Sequence, residues 1–171
     1  MFCSWEEEVA MNQISKFIEK IEKFVSIILI AALTFILFLA VIYRYFLNSP
    51  LFWANEISIF IMAWLTFLGG SLSFKYKSQA SITFLSNSLS TKNKRILNII
   101  THIIMLVFLA ILIYVSYYWI FNFSHSKSSA LRIPMWIPYL SVPVGLSFMF
   151  IHLFTHFIQY IRGKEIEENT I

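Results

Sequence analysis

Phe24-Val25-Ser26-Ile27-Ile28-Leu29-Ile30-Ala31-Ala32-Leu33-Thr34-Phe35-Ile36-Leu37-Phe38-Leu39-Ala40-Val41-Ile42-Tyr43 is a run of 20 residues without a charge. As a helix rising about 1.5 Å per residue it spans the roughly 30 Å hydrocarbon core of a bilayer. A helix also satisfies its own backbone hydrogen bonds where water cannot, so the run reads as a membrane span. Three further segments follow the same pattern. Ile57–Phe74 gives 18 uncharged residues; Ile96–Phe123 gives 28, ionisable only at His102 and the tyrosines; Ile133–Ile161 gives 29, with His152 and His156. The sequence therefore predicts an all-α integral membrane protein with four transmembrane helices. The spans fall at about 22–45, 52–75, 95–122 and 135–161, within one membrane domain covering 1–171.

Composition points the same way. Apolar residues make up 58% and charged residues 13%, about half the usual share of charge. Four spans in 171 residues leave no length for a separate soluble domain. Cys3 is the only cysteine, which excludes an internal disulfide and a thiolate metal cluster. The net charge of +4 sits beside the spans, so it is a topology signal and no nucleic-acid partner is expected. The first apolar run is too long for a signal-peptide core and lacks a small-residue cleavage site, so no cleavable signal is expected. Met11, which opens a lysine-bearing stretch, is a second candidate start.

Charge sets the orientation. Lys16, Lys20, Lys23, Lys75, Lys77, Lys92, Lys94, Arg95, Arg162 and Lys164 would lie on one side, and only Arg44, Lys127 and Arg132 on the other. The positive-inside rule places both termini and the 76–94 loop in the cytoplasm. Tyr43, Tyr45, Phe52, Trp53, Tyr117, Tyr118, Trp119, Trp136 and Tyr139 then share the outer interface, as an aromatic belt does.

Inside the spans, Thr66/Gly70, Gly69/Ser73 and Ser141/Gly145 are small residues four apart, which would let helices approach closely. Pro134 and Pro138 suit the first turn of the fourth helix, while Pro143 is expected to kink it. Between the second and third spans, Ile82, Phe84, Leu85 and Leu89 fit either a short amphipathic turn in the cytoplasmic interface or a plain solvated loop.

Reactive chemistry is sparse. Glu56 is the only carboxylate between Glu22 and Glu165, and no Asp occurs, so no carboxylate is expected deep in the spans. No phosphate loop, Ser/His/Asp set or His-Glu metal motif is visible, so the chain is not read as an enzyme. His102 and His156 fall at one depth on facing helices, with His152 a turn deeper. They could ligate a b-type haem or hydrogen-bond between helices as polar glue. Arg44 and Glu56 flank the first outer turn, and either pair to pin that hairpin or offer a polar edge to another membrane subunit.

That same turn carries a family resemblance. Arg44-Tyr45-Phe46-Leu47-Asn48-Ser49-Pro50-Leu51-Phe52-Trp53-Ala54-Asn55-Glu56 resembles the signature of the small membrane (Q-type) subunit of tripartite ATP-independent periplasmic (TRAP) transporters. Trp64 with Phe67-Leu68-Gly69-Gly70-Ser71, the Lys75–Leu85 run, and Ile133-Pro134-Met135-Trp136-Ile137-Pro138-Tyr139 with Pro143-Val144-Gly145 are similar too, so that the likeness covers about 14–162. The chain departs from the family at Asn55, where an acidic pair is common, and at Gln79 and Thr83, in place of a His and an Asp.

The resemblance implies a small permease subunit of a sodium-driven importer of an organic acid in the bacterial cytoplasmic (inner) membrane. It implies two protein partners: a large polytopic subunit holding the substrate and sodium sites, and a periplasmic substrate-binding protein. Arg44, Asn48, Pro50, Trp53, Glu56, Trp64, Gly69, Gly70, Pro138, Pro143 and Gly145 would serve structure or the subunit interface, and Lys127 and Arg132 the binding protein. Neither cofactor nor catalytic residue is implied. Two alternatives stay open: a small haem redox subunit using His102 with His152 or His156, and an unrelated four-helix accessory protein.

Overall fold

The computed structural model describes residues 3–86, 91–123 and 126–161, with side chains described for 11–76, 96–122 and 126–161. It is helical: α1 Cys3–Tyr45, α2 Phe52–Ser86, α3 Thr91–Phe123, a short α4 Trp136–Tyr139 and α5 Ser141–Ile161. Four stretches are long and apolar enough to cross a membrane, namely Met11–Tyr45, Phe52–Tyr76, Ile96–Asn122 and Trp136–Ile161, the last combining α4 and α5. The four expected spans are therefore present, and this is a multi-pass membrane protein.

Helix extends beyond the expected second and third spans into the segment between them. α2 continues to Ser86 and α3 starts at Thr91, so helix occupies most of the segment anticipated as a turn or loop. Neither Gly nor Pro, the two poorest helix formers, occurs between residues 76 and 94. The side chains of Ile82, Phe84, Leu85 and Leu89 lie outside the described residues, as do Gln79 and Thr83.

The helices lie side by side in the order α1, α2, α5, α3, with α5 as the hub. Its core is Leu146, Met149 and Leu153 of α5 with Leu109 of α3, joined by Phe74 of α2 and Met105, Leu106, Leu112 and Ile113 of α3. α5 meets α2 most closely at Gly145. A Cβ there would lie 2.6 Å from Phe67 Cβ and 3.0 Å from the Phe67 backbone carbonyl. The Ser141/Gly145 pair is thus spent inside the subunit. Gly70 faces Met149, whereas Gly69 has open space around its Cα.

The break in the fourth span falls at Leu140, not at Pro143. Pro143 cannot donate to the Tyr139 carbonyl, and its ring crowds that carbonyl. The chain answers by starting a new helix at Ser141, which puts Pro143 in a first turn where no N–H is needed. Ser141 Oγ–H donates to the Pro138 carbonyl at 2.7 Å and so satisfies one carbonyl at the break.

α1 is attached on one side. Near its start, Ser15, Ile18 and Glu22 are buried at spacings of three and four, a single face turned to α2 and α5. From Phe24 to Tyr43 no residue is buried. Phe24, Ile27, Ile28, Phe35, Phe38 and Val41 are all more than half exposed.

Candidate functional site

Two polar zones sit at opposite ends of the helices. At the end that holds Glu19 and Lys75, the lysine-rich turns of α1 would be read as solvated, yet Glu22 and His152 have no exposed surface at all. His152 Nε2 lies 3.1 Å from Glu22 Oε2, and its Nδ1 lies 2.8 Å from Ser15 Oγ. A carboxylate can only accept, so Nε2–H donates to Glu22, and in the neutral ring Nδ1 accepts from the Ser15 hydroxyl. Glu22 opens the first expected span, so no described carboxylate lies deep in a span, but this one at the span's end is fully buried. It also supplies a Ser-His-Glu set that no local spacing reveals, because the partners are 130 and 137 residues apart in sequence.

A second carboxylate anchors α2 to α1. Glu19 takes Lys75 Nζ at 2.6 Å and Lys23 Nζ at 2.7 Å, and accepts a hydrogen bond from Tyr76. Lys75 also donates to the Ser15 carbonyl at 3.2 Å. Lysine at the end of a membrane helix commonly reaches for the interface; here Lys75 reaches for α1 instead.

The other two described histidines, His102 and His156, are helix connectors. His156 Nε2–H donates to the Lys75 carbonyl at 3.2 Å and ties α5 to α2. His102 Nδ1–H donates to the Asn98 carbonyl at 2.8 Å, and its ring stacks on Phe157 and Tyr160 of α5. Asn98 Nδ2 donates to Tyr160 Oη at 3.1 Å. With both nitrogens of His152 engaged, that ring has no lone pair to offer a haem iron. The hydrogen bonds match the glue reading of these residues, His152 adding a carboxylate to the partners expected.

At the opposite end of the helices, Arg44 and Glu56 do not pair. Among the described residues Arg44 has only the face of Tyr45, 6.0 Å from guanidinium carbon to ring centre. Glu56 reaches the 126–135 loop instead. Its Oε1 accepts the backbone N–H groups of Ser129 at 3.0 Å and Ala130 at 3.4 Å, and its Oε2 that of Leu131 at 2.9 Å. The loop is a closed hairpin: Ser128 N–H donates to the Ile133 carbonyl and Met135 N–H to the Ser126 carbonyl. Arg132 stands in the left-handed region at φ 53°, and consecutive inward N–H groups form a nest for a carboxylate. Sequence spacing could not show this clamp, because its partners lie 73 to 75 residues beyond Glu56.

The remaining expected site residues divide cleanly. Arg44, Asn48, Pro50, Trp53, Gly69, Lys127 and Arg132 are exposed; Trp64 and Gly70 are half-buried; Pro138, Pro143 and Gly145 are buried within the chain. Asn48 has φ 49°, a conformation Asn tolerates, and the turn lets Ser49 N–H reach the Tyr43 carbonyl at 3.2 Å.

The family model described as tripartite ATP-independent periplasmic transporters, DctQ component, matches residues 33–163. A protein of Haemophilus influenzae named as a TRAP transporter small permease is 35% identical over 97 residues, 57% of this chain and 60% of the relative. This chain thus matches somewhat under two thirds of that relative's length. The C4-dicarboxylate TRAP transporter small permease protein DctQ of Vibrio cholerae is 23% identical over 195 aligned positions, covering 95% of this chain and 84% of the relative. The sialic acid TRAP transporter permease protein SiaT of Haemophilus influenzae is 28% identical over 102 residues, 60% of this chain but 16% of the relative. The matched region takes in the α1–α2 turn, the Glu56 clamp with its loop, and the α5 hub, and on that ground the chain belongs to the DctQ family, the small permease component of TRAP transporters.

Proposed function

We propose that this subunit is a scaffold, binding a large polytopic permease subunit along α1 and the outer α1–α2 turn within a sodium-driven importer of an organic acid. In this reading the complex lies in the bacterial inner membrane, both termini face the cytoplasm, and a periplasmic substrate-binding protein docks over Lys127 and Arg132. The observation that carries it is the one-sided attachment of α1, whose aromatic and aliphatic face from Phe24 to Val41 remains outside the bundle. Association along such a face would rest on van der Waals packing, since lipid gives apolar side chains no hydrophobic drive to pair. The match to a stretch amounting to 16% of the longer SiaT permease supports the same partner, since there a small-subunit sequence lies within a permease chain. The relatives' names mention C4-dicarboxylate and sialic acid, both organic acids; substrate choice would rest with the partner subunits.

The scaffold is not an enzyme in this reading. Ser15, His152 and Glu22 share the connectivity of a hydrolytic triad, but all three are buried against neighbouring helices, and their bonds hold α1 to α5. The decisive test is purification of the tagged chain from native membranes in mild detergent, with cysteines placed at Phe35 and Phe38. A large TRAP permease should co-elute and cross-link through both positions. Elution without a permease, or cross-links only to lipid-soluble reagents, would remove the scaffold reading.

A further inference from the structure

Serine and threonine hydroxyls in this bundle have a default. Thr34, Ser58, Thr66, Thr101, Ser116 and Thr155 each turn back onto the carbonyl four residues earlier, at 2.7 to 2.9 Å, as hydroxyls in apolar helices do. Ser26 and Ser71 do not. Both hydroxyls are buried, and neither has a partner among the described residues. Ser71 has no exposed surface. A third buried atom is orphaned close by: Glu22 Oε1, the carboxylate oxygen that His152 does not use.

Helix register sets the three within about one helical turn of one another. Lys75 of α2 meets Glu19 of α1, and the two helices are antiparallel, so one turn back from Lys75 lies level with one turn on from Glu19. That places Ser71 beside Glu22. α5 runs in the same direction as α2, and His156 donates to the Lys75 carbonyl, so His152 stands level with Ser71. The direct His152–Glu22 contact agrees with both registers. Ser26 is one turn further along the Glu22 face of α1.

We propose that Glu22 Oε1, Ser26 Oγ and Ser71 Oγ bind one internal water molecule, bridging α1 to α2 beside the Glu22–His152 contact. The water donates to Glu22 Oε1 and to one hydroxyl oxygen and accepts a proton from the other hydroxyl. That is three hydrogen bonds, about the number buried waters make. A buried carboxylate oxygen without a donor is costly, which is why such groups find a partner. Hard cations take six or more oxygens, and the three orphaned oxygens here fall well short. The inference stands apart from the scaffold reading, because it concerns how the subunit holds itself together.

The test is a double-mutant cycle on the full-length chain in mild detergent, read as apparent melting temperature. Ser26→Ala and Ser71→Ala should each lower it, and the double variant should lose clearly less than the two losses added, because both act on one bridge. Fully additive losses, or none, would mean that each hydroxyl serves only its own helix, and would overturn the bridge. Melting in sodium chloride and in choline chloride should agree; a sodium-dependent gain that Ser71→Ala abolishes would make the ligand a cation and overturn the water. A structure that resolves ordered solvent tests the site without substitution. A solvent peak within hydrogen-bond reach of all three oxygens is expected, and direct contact between the side chains with no room for it would refute the proposal.

Discussion

Glu22 shows how a single side chain can matter more than its position in the sequence suggests. Removing one member of a buried ion-paired or hydrogen-bonded couple typically costs about 3–5 kcal/mol, because the other is left uncompensated. Glu22→Ala and His152→Ala should therefore each lower the unfolding free energy by about that much, while Glu22→Gln, which keeps an acceptor, should cost less. Equilibrium unfolding in mixed detergents would rank the three. The reason Glu22 escapes a reading of the sequence is physical: it sits one residue from Lys23 and two from Lys20, a setting that signals a solvated helix start. Its partner on α5 is supplied by tertiary packing alone. Glu56 offers the complementary case at the opposite end of the helices. Its carboxylate holds three backbone N–H groups of the 126–135 loop, so Glu56→Ala should free that loop and speed tryptic cleavage after Lys127 and Arg132, applied from the outer side. Arg44→Ala, which among the described residues removes only the ring contact with Tyr45, should leave cleavage unchanged but lower the yield of the permease complex and uptake. Substrate preference should be untouched by either change.

Among the helices, the contrast between two glycines is the sharpest test. At Gly145 an added methyl would run into the Phe67 backbone, while at Gly69 it would meet nothing within 4 Å. Gly145→Ala should push α5 off α2 and cost about 1–3 kcal/mol, the usual range for an overpacked contact. Gly69→Ala should leave the isolated subunit as stable as before, or up to about 1 kcal/mol more so through helix propensity. Melting curves of the two variants side by side would settle it, and a Gly69→Leu change that spoils only complex yield would mark that face as the partner's. The pattern of small residues identified all of these positions but could not say which pair closes the subunit and which faces outward. Only the register of α5 on α2 distinguishes them. Pro143 teaches the same lesson from the other side. Proline chemistry forces a discontinuity, yet its location depends on where the chain can restart a helix, and Ser141 provides that start two residues before the expected kink.

The four spans were legible throughout, because a run without charges has to satisfy its own backbone in lipid whatever it packs against. The order of the helices was not, since one apolar face resembles another in sequence, and it took the buried polar contacts around Glu22 to fix α1 and α5 together. Orientation can be tested on the whole molecule. In a Cys3→Ser background, a cysteine at Ser126 should react with a membrane-impermeant thiol reagent added to intact cells, and a cysteine at Lys20 only after the membrane is opened. The reverse labelling would invert the topology. The contact between Glu22 and His152 also has a temporal side. Synthesis proceeds at roughly 5–20 residues per second, and the two residues are 130 apart, so on the order of ten seconds separate their emergence from the ribosome. During that interval the first helix holds an acidic group whose counterpart does not yet exist. A chain that stops short of the last helix never acquires it, and its carboxylate is left without the imidazole N–H that meets it in the finished subunit.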